Sequence, residues 1–201
     1  MLLSLAVQGR ASQQEWEERD SWQRPAEVMD ALGVRPGSVV GDVGAGTGYF
    51  SFHLAARVRP QGKVYAEDIR DESLAKIRER AKKEDLAQIE TILGTESDPR
   101  LPAGSLDAIL VVNAYHEMRK YDAMLQGIVR ALRPGGRLAI IDRETQRGQW
   151  RSTYLEEHKI PQELVREDAA RNGLGFLREE KGFEPEAGEH WFFLIFEKPK
   201  P

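Results

Sequence analysis

The chain contains no cysteine. Disulfides, thiolate metal sites and cysteine nucleophiles are excluded with it. Apolar runs are short: the longest, Ala108–Val112 and Trp191–Phe196, fall far below the roughly 18 residues of a membrane-spanning helix. Positive charge is not in excess either. The formal net charge is -4, which argues against a nucleic-acid grip by bulk electrostatics. No histidine and carboxylate grouping along the chain has metal-ligand spacing, and no serine sits in a G-x-S-x-G setting. The first residues, MLLSLAVQGRAS, lack the positive n-region and long apolar core of a secretory signal. A cytoplasmic location is therefore expected, with export behind a trimmed signal as the alternative.

What is present is an ordinary globular composition, 40% hydrophobic and 31% charged over 201 residues, enough for one α/β domain. Residues 1–21 read as a lead-in, partly helical or disordered, and 22–201 as the domain. Pro25 suits the first turn of a helix that Gly33 stops. Val39-Val40 is a strand, and residues 50–58 have helical spacing. Lys63–Asp68 is a strand, and Glu72–Leu86 a charged helix. Ile89–Leu93 and Leu106–Val112 are strands, followed by a helix over Tyr121–Leu132. Arg133–Gly136 is a turn and Arg137–Ile141 a strand. Pro161–Asn172 is a helix, and Phe176–Glu179 and His190–Lys198 are two strands without a helix between them. Alternating β and α units closing on a hairpin predict a doubly wound, mostly parallel α/β sheet with an antiparallel end.

The stretch GDVGAGTGYF places glycines at 44, 46 and 48 directly after the first strand. Such a strand–glycine–helix turn exposes backbone N–H groups and the positive end of a helix dipole to a ligand. The spacing is G-x-G-x-G, one residue short of the dinucleotide fingerprint, because Tyr49 stands where the last glycine would be. Glu67 and Asp68 end the second strand, where an acid can accept the two hydroxyl protons of a ribose.

VVGDVGAGTGYFSFHLA resembles the first motif of the class I S-adenosylmethionine-dependent methyltransferases. GKVYAEDIRDESL is similar to the second-strand motif of that family, LPAGSLDAILVVNAYHEM to its fourth strand and following loop, and LRPGGRLAIID to the entry of its fifth. The resemblance spans about residues 22–198. It implies a Rossmann-like seven-stranded sheet in the order 3-2-1-4-5-7-6 with the seventh strand antiparallel. It also implies S-adenosyl-L-methionine as cofactor: Asp42, Gly44, Ala45, Gly46 and Gly48 around its methionine part, Asp68 and Ile69 at the ribose and adenine, and Thr95 or Glu96 at the adenine amino group. Asn113 would sit near the sulfonium.

Methyl transfer needs an aligned acceptor and, where that acceptor must lose a proton, a base. The loop NAYHE offers His116 either as that base or acceptor-orienting group or as a structural cap of the next helix, with Glu117 either orienting it or helping the acceptor dock. Tyr115, Arg143 and His158 are candidates for the acceptor pocket; Asp142 and Arg143 end the fifth strand toward its rim, Arg143 suiting either an anionic acceptor or a salt bridge. Trp22–Pro25 is placed either to cover the cofactor or to staple the first helix. NAYHE also differs from the N/D-P-P-Y/F loop that stacks a flipped base, so a small-molecule acceptor is expected, with a protein acceptor open. Two other functions stay in view: a non-catalytic S-adenosylmethionine-binding partner or sensor, and a nicotinamide-dependent oxidoreductase. The latter lacks a Tyr-x-x-x-Lys pair.

Overall fold

The computed structural model describes residues 16–148, 150–183 and 189–201. The first fifteen residues of the lead-in lie outside that set. Residues 16–23 form a helix, α1, that runs across the expected boundary at residue 21 and packs on the domain through Trp16, whose ring meets those of Tyr49 and Phe52.

The remaining elements are α2 (Pro25–Leu32), β1 (Val39–Val43), α3 (Tyr49–Val58), β2 (Lys63–Asp68), α4 (Asp71–Lys83), β3 (Ile89–Leu93), β4 (Leu106–Val112), α5 (Tyr121–Ala131), β5 (Leu132–Arg143), α6 (Arg151–Glu157), α7 (Gln162–Arg171), β6 (Gly175–Glu179) and β7 (Trp191–Glu197). A single 3-10 turn, Tyr115–Glu117, lies between β4 and α5. The seven strands form one sheet in the order β3-β2-β1-β4-β5-β7-β6. β1 to β5 are parallel, and β7 runs antiparallel to both β5 and β6. Both the doubly wound pattern and the terminal hairpin are as the sequence implies.

Side chains alternate across the sheet with period two and so divide the core into layers. Ile109, Val111, Leu138, Ile140, Phe192, Leu194 and Phe196 face the layer that α5 and α7 cover with Leu125, Ile128 and Val165. Ala108, Leu110, Ala139, Ile141, Phe193 and Ile195 face the other, which α2 and α3 close with Val28, Leu32, Leu54 and Val58. Strands buried on both faces read as continuous apolar runs, which is why β4 and β7 are plain in the sequence.

Two elements differ from expectation. Arg133–Gly136 is not a free turn but part of β5, whose pairing with β4 jumps from Leu106↔Leu132 to Ala108↔Arg137. The backbone groups of Gly135 and Gly136 are bound instead to Lys198. α6 has no signature in the sequence, because it is only seven residues long, its N-cap makes no side-chain hydrogen bond, and Tyr154 is its one buried residue.

Strand order reverses beside β1: the chain steps from β1 to β2 on one side and returns to β4 on the other. The carboxyl ends of these strands open a crevice at that reversal, the usual ligand position of a doubly wound sheet.

Candidate active site

A cavity of about 500 Å³ fills the crevice. It is lined by the ends of β1 (Asp42, Val43, Gly44), β2 (Glu67, Asp68, Ile69), β3 (Thr95, Glu96) and β4 (Val112, Asn113). α1 lies over it and contributes Arg19. Tyr49 links that helix to the glycine loop, its hydroxyl donating to Asp20 Oδ1 at 2.5 Å. The covering residue is thus Arg19, not the Trp22 cluster; the Trp22 ring lies 6.3 Å from that of Trp191.

The three glycines serve three ends. Gly44 has φ +72, and a Cβ there would stand 2.6 Å from the Cβ of Ala114, so the close approach of the β1 and β4 loops requires its absence. Gly46 has φ +56 and open space beside it, facing the cavity. Gly48 does not line the cavity. At φ +91 it starts α3, where a Cβ would strike Ile77 and Phe52, so it serves packing rather than contact with a ligand.

Three carboxylates lie under the loop. Asp42 accepts from Ser51 Oγ at 2.6 Å, and burial pushes its pKa up to about 6. Glu67 accepts from the Gly44 N–H at 3.3 Å, and burial pushes it up to about 8. Asp68 accepts from the Gly46 N–H at 2.8 Å through Oδ2. Its Oδ1 takes both the N–H and the Nε–H of Arg70, at 2.9 and 3.2 Å. A carboxylate has about four acceptor positions, so Asp68 keeps one unless Arg70 swings away. The Arg70 side chain is exposed and free to do so. Ile69 is half exposed at 55%, an apolar surface in the cavity wall. The Thr95 hydroxyl accepts from the N–H groups of Ser97 and Asp98 and closes its own turn, whereas Glu96 is exposed in the lining. Asn113 holds a left-handed φ of 51° at the end of β4.

On the far side of Asn113, the 3-10 turn splits the NAYHE residues by direction. Tyr115 is fully buried, its hydroxyl donating to Asp168 of α7 at 2.8 Å. It supports the loop from beneath and does not reach the cavity. His116 caps no helix: its side chain is buried against Asp142 at the end of β5, Nδ1 lying 2.7 Å from Oδ1. The backbone N–H of His116 also donates to Asp142, at 3.0 Å, as does that of Arg143, at 2.9 Å. A carboxylate accepts only, so Nδ1 is the donor of this pair and Nε2 is the ring atom on the outward side. Facing Nε2 are His158 Nδ1 at 3.3 Å and Glu117 Oε1 at 3.7 Å. Glu117 also lines the cavity.

His158 reaches this group from the end of α6, 42 residues along the chain from His116. The spacing in the sequence shows no metal-ligand set; the fold nevertheless assembles two histidines and a carboxylate whose ligand atoms all lie within 4.8 Å of one another. Arg143 is turned away from the cavity, toward Glu189 at 3.6 Å and over the Trp191 ring. Antiparallel pairing with β7 places Trp191 opposite it and explains the departure from a pocket position. Asp142, expected with Arg143 at the pocket rim, is buried instead and holds His116.

A seven-stranded sheet in this order, with an acid-floored glycine loop at the strand reversal, defines the class of S-adenosylmethionine-dependent methyltransferases. Residues 40–136 match the family described as "Methyltransferase domain", and over that stretch the chain carries a class I S-adenosylmethionine-dependent methyltransferase domain. S-adenosylmethionine is the methyl donor of that family. The chain is 33% identical over 116 residues to a demethylmenaquinone methyltransferase of Listeria welshimeri, covering 58% of this chain and 49% of that one. It is 32% identical over 113 residues to the nocamycin O-methyltransferase of Saccharothrix syringae, covering 56% and 40%. The matches span about half the length of these curated relatives or less. Among solved structures, a SAM-dependent methyltransferase from Aquifex aeolicus superposes with a TM-score of 0.76 at 25% identity, covering 90% of this chain and 92% of that one. Among the described residues no helix is long and apolar enough to cross a membrane.

Proposed function

We propose that the chain transfers a methyl group from S-adenosylmethionine to a small-molecule acceptor. The observation that carries this reading is that Asn113 and Glu117 line the cavity while the turn between them holds His116 against Asp142. The relatives support a small acceptor, since one is named for demethylmenaquinone and the other for nocamycin.

In this reading the loop 44–46 receives the methionine end of the cofactor, whose cationic amine and sulfonium suit the carboxylates of Asp42, Glu67 and Asp68. Asp68 accepts the ribose hydroxyls once Arg70 releases it. Ile69 covers one face of the adenine, and Glu96 takes the adenine amino group, because Thr95 is committed to its turn. Asn113 flanks the methyl. The acceptor enters over Glu117, Met118 and Arg119, and its proton leaves toward the His116 group. Displacement at a sulfonium carbon is in line, so alignment of acceptor and methyl supplies much of the rate.

Calorimetric titration with S-adenosylhomocysteine, S-adenosylmethionine and NADH tests the reading. The expected outcome is micromolar binding of the first two and none of NADH, with Asp68→Ala weakening binding by about 100-fold, as for loss of charge-assisted bonds worth ~3 kcal/mol. Binding of NADH alone, or of nothing, refutes it. Turnover to S-adenosylhomocysteine with an acceptor separates an enzyme from a binding module.

A further inference from the structure

We propose that His116, Glu117 and His158 form a binding site for a divalent first-row transition ion of the zinc type, at the acceptor end of the cavity. Three lines of geometry carry this inference.

The first is the separation of the donor atoms. An ion about 2.0–2.2 Å from each ligand in tetrahedral array sets neighbouring ligand atoms roughly 3.3–3.6 Å apart. The observed separations are 3.3 Å for His116 Nε2 to His158 Nδ1, 3.7 Å for His116 Nε2 to Glu117 Oε1 and 3.9 Å for His158 Nδ1 to Glu117 Oε1. Closing the last two by a few tenths of an ångström requires only movement of the exposed Glu117 and His158 side chains.

The second is the partner behind the ligand. Metal-binding histidines donate their remote N–H to a carboxylate, which fixes the tautomer and strengthens the donor nitrogen. Asp142 does this for His116 from a wholly buried position, while its other oxygen takes the His116 backbone N–H.

The third is the backbone. His158 sits at φ 54°, ψ 40°, a left-handed conformation that disfavours non-glycine residues. Its main chain is tied down there: its N–H reaches the Leu155 carbonyl, and those of Lys159 and Ile160 reach Tyr154 and Arg143. The strain places the imidazole opposite His116. Two imidazoles and one carboxylate leave a coordination position open, and soft or all-oxygen preferences are not met, which favours zinc, iron(II) or cobalt over magnesium or calcium.

The chemical consequence rests on the methyltransferase reading; the ion site itself does not. An acceptor hydroxyl or thiol that takes the open position loses its proton to solvent as the ion holds the anion. A lone pair of that oxygen or sulfur forms the bond to the methyl carbon. The carbon–sulfonium bond breaks, and its electron pair stays on sulfur as the neutral thioether of S-adenosylhomocysteine. With the ion bound His116 is a ligand and the acceptor proton goes to solvent; the His116 group takes that proton only in the ion-free site.

The test uses the tag-free full chain, stripped with chelator and titrated with Co²⁺ by visible absorption and with Zn²⁺ by calorimetry. One ion per chain is expected, with an absorption of low-coordinate cobalt, and at least tenfold weaker binding in His158→Ala and in Glu117→Ala. His190→Ala, one residue before β7, should bind as the wild type does. Circular dichroism and S-adenosylhomocysteine affinity of the same preparations keep folding separate from ligation. No saturable binding, or binding that neither variant weakens, overturns the ion site. If S-adenosylhomocysteine still binds in that case, the methyltransferase reading survives; if the ion binds and S-adenosylhomocysteine does not, that reading fails instead.

Discussion

The two ends of the crevice are built in opposite ways. The β1–β3 end is made of short-range pieces: a glycine loop, an acid at the tip of the neighbouring strand and the apolar residue after it, tied by Gly46 N–H to Asp68 over 22 residues. The β4–β5 end is assembled from afar. His116 comes from a 3-10 turn, Asp142 from β5 and His158 from the end of α6. The first end combines turn backbone with acids that sit at adjacent strand ends, so its parts come from local sequence. The second depends on three particular side chains meeting.

Gly44→Val should break that separation most severely. A β-branched residue cannot adopt φ +72 cheaply, and its Cβ would push Ala114, and with it the histidine turn. Loss of cofactor binding by 100-fold or more is expected in calorimetry, together with a lower melting temperature. Asp142→Asn confines the damage to the second end: turnover, and ion affinity where the ion binds, should fall by roughly 10–100-fold while S-adenosylhomocysteine affinity stays within a factor of about two. Equal losses of both would show the two ends to be one unit.

A smaller effect sharpens the electrostatics of the first end. Burial raises Glu67 to about 8, above its unfolded value of 4.5, so the folded state holds its proton more tightly than the unfolded state. Its contribution to stability is present below pH 4.5 and is lost as pH rises toward 8. Glu67→Gln should therefore raise the melting temperature by a few degrees at pH 8–9 and change it little at pH 5, as thermal scans at the two pH values would show. A cationic cofactor favours the ionised acid, so its binding should release protons near pH 7, measurable as buffer-dependent enthalpy, and the variant should abolish most of that release. The smallest effect belongs to Arg70→Ala: removing the Nε–H from Asp68 Oδ1, which keeps the backbone N–H of residue 70, should tighten S-adenosylhomocysteine binding by about two- to threefold, since a pair whose cation is exposed is worth under ~1 kcal/mol.

The same contrast governs what the sequence reveals. The glycine loop and Asp68 are legible because turn chemistry and strand ends are local, and β4 and β7 because full burial on both faces leaves unbroken apolar runs. Gly48 lies within the motif yet serves packing, since its spacing is also that of a helix start. Tyr115 and Arg143 were expected in the pocket and lie outside it: a 3-10 turn rotates successive side chains by about 120°, which sends Tyr115 and Glu117 to different sides, and β7 occupies the side to which Arg143 turns. The meeting of His116 with His158 has no local trace. It depends on α6, a helix with no side-chain N-cap and a single buried residue, and on a strained residue at its end.

The position of β7 also bears on how the chain comes off the ribosome. β7 enters between β5 and β6, yet residues 144–190 are made between β5 and β7. At about 5–20 residues per second, that leaves several seconds in which β1 to β5 are complete and β5 carries an open apolar edge. β6 emerges first but has no seat until β7 arrives beside it. The cofactor end can therefore form on the nascent chain, whereas the strand bearing Asp142 gains its second neighbour only late, through Phe192. Chaperone contact during synthesis is expected to concentrate on that waiting edge.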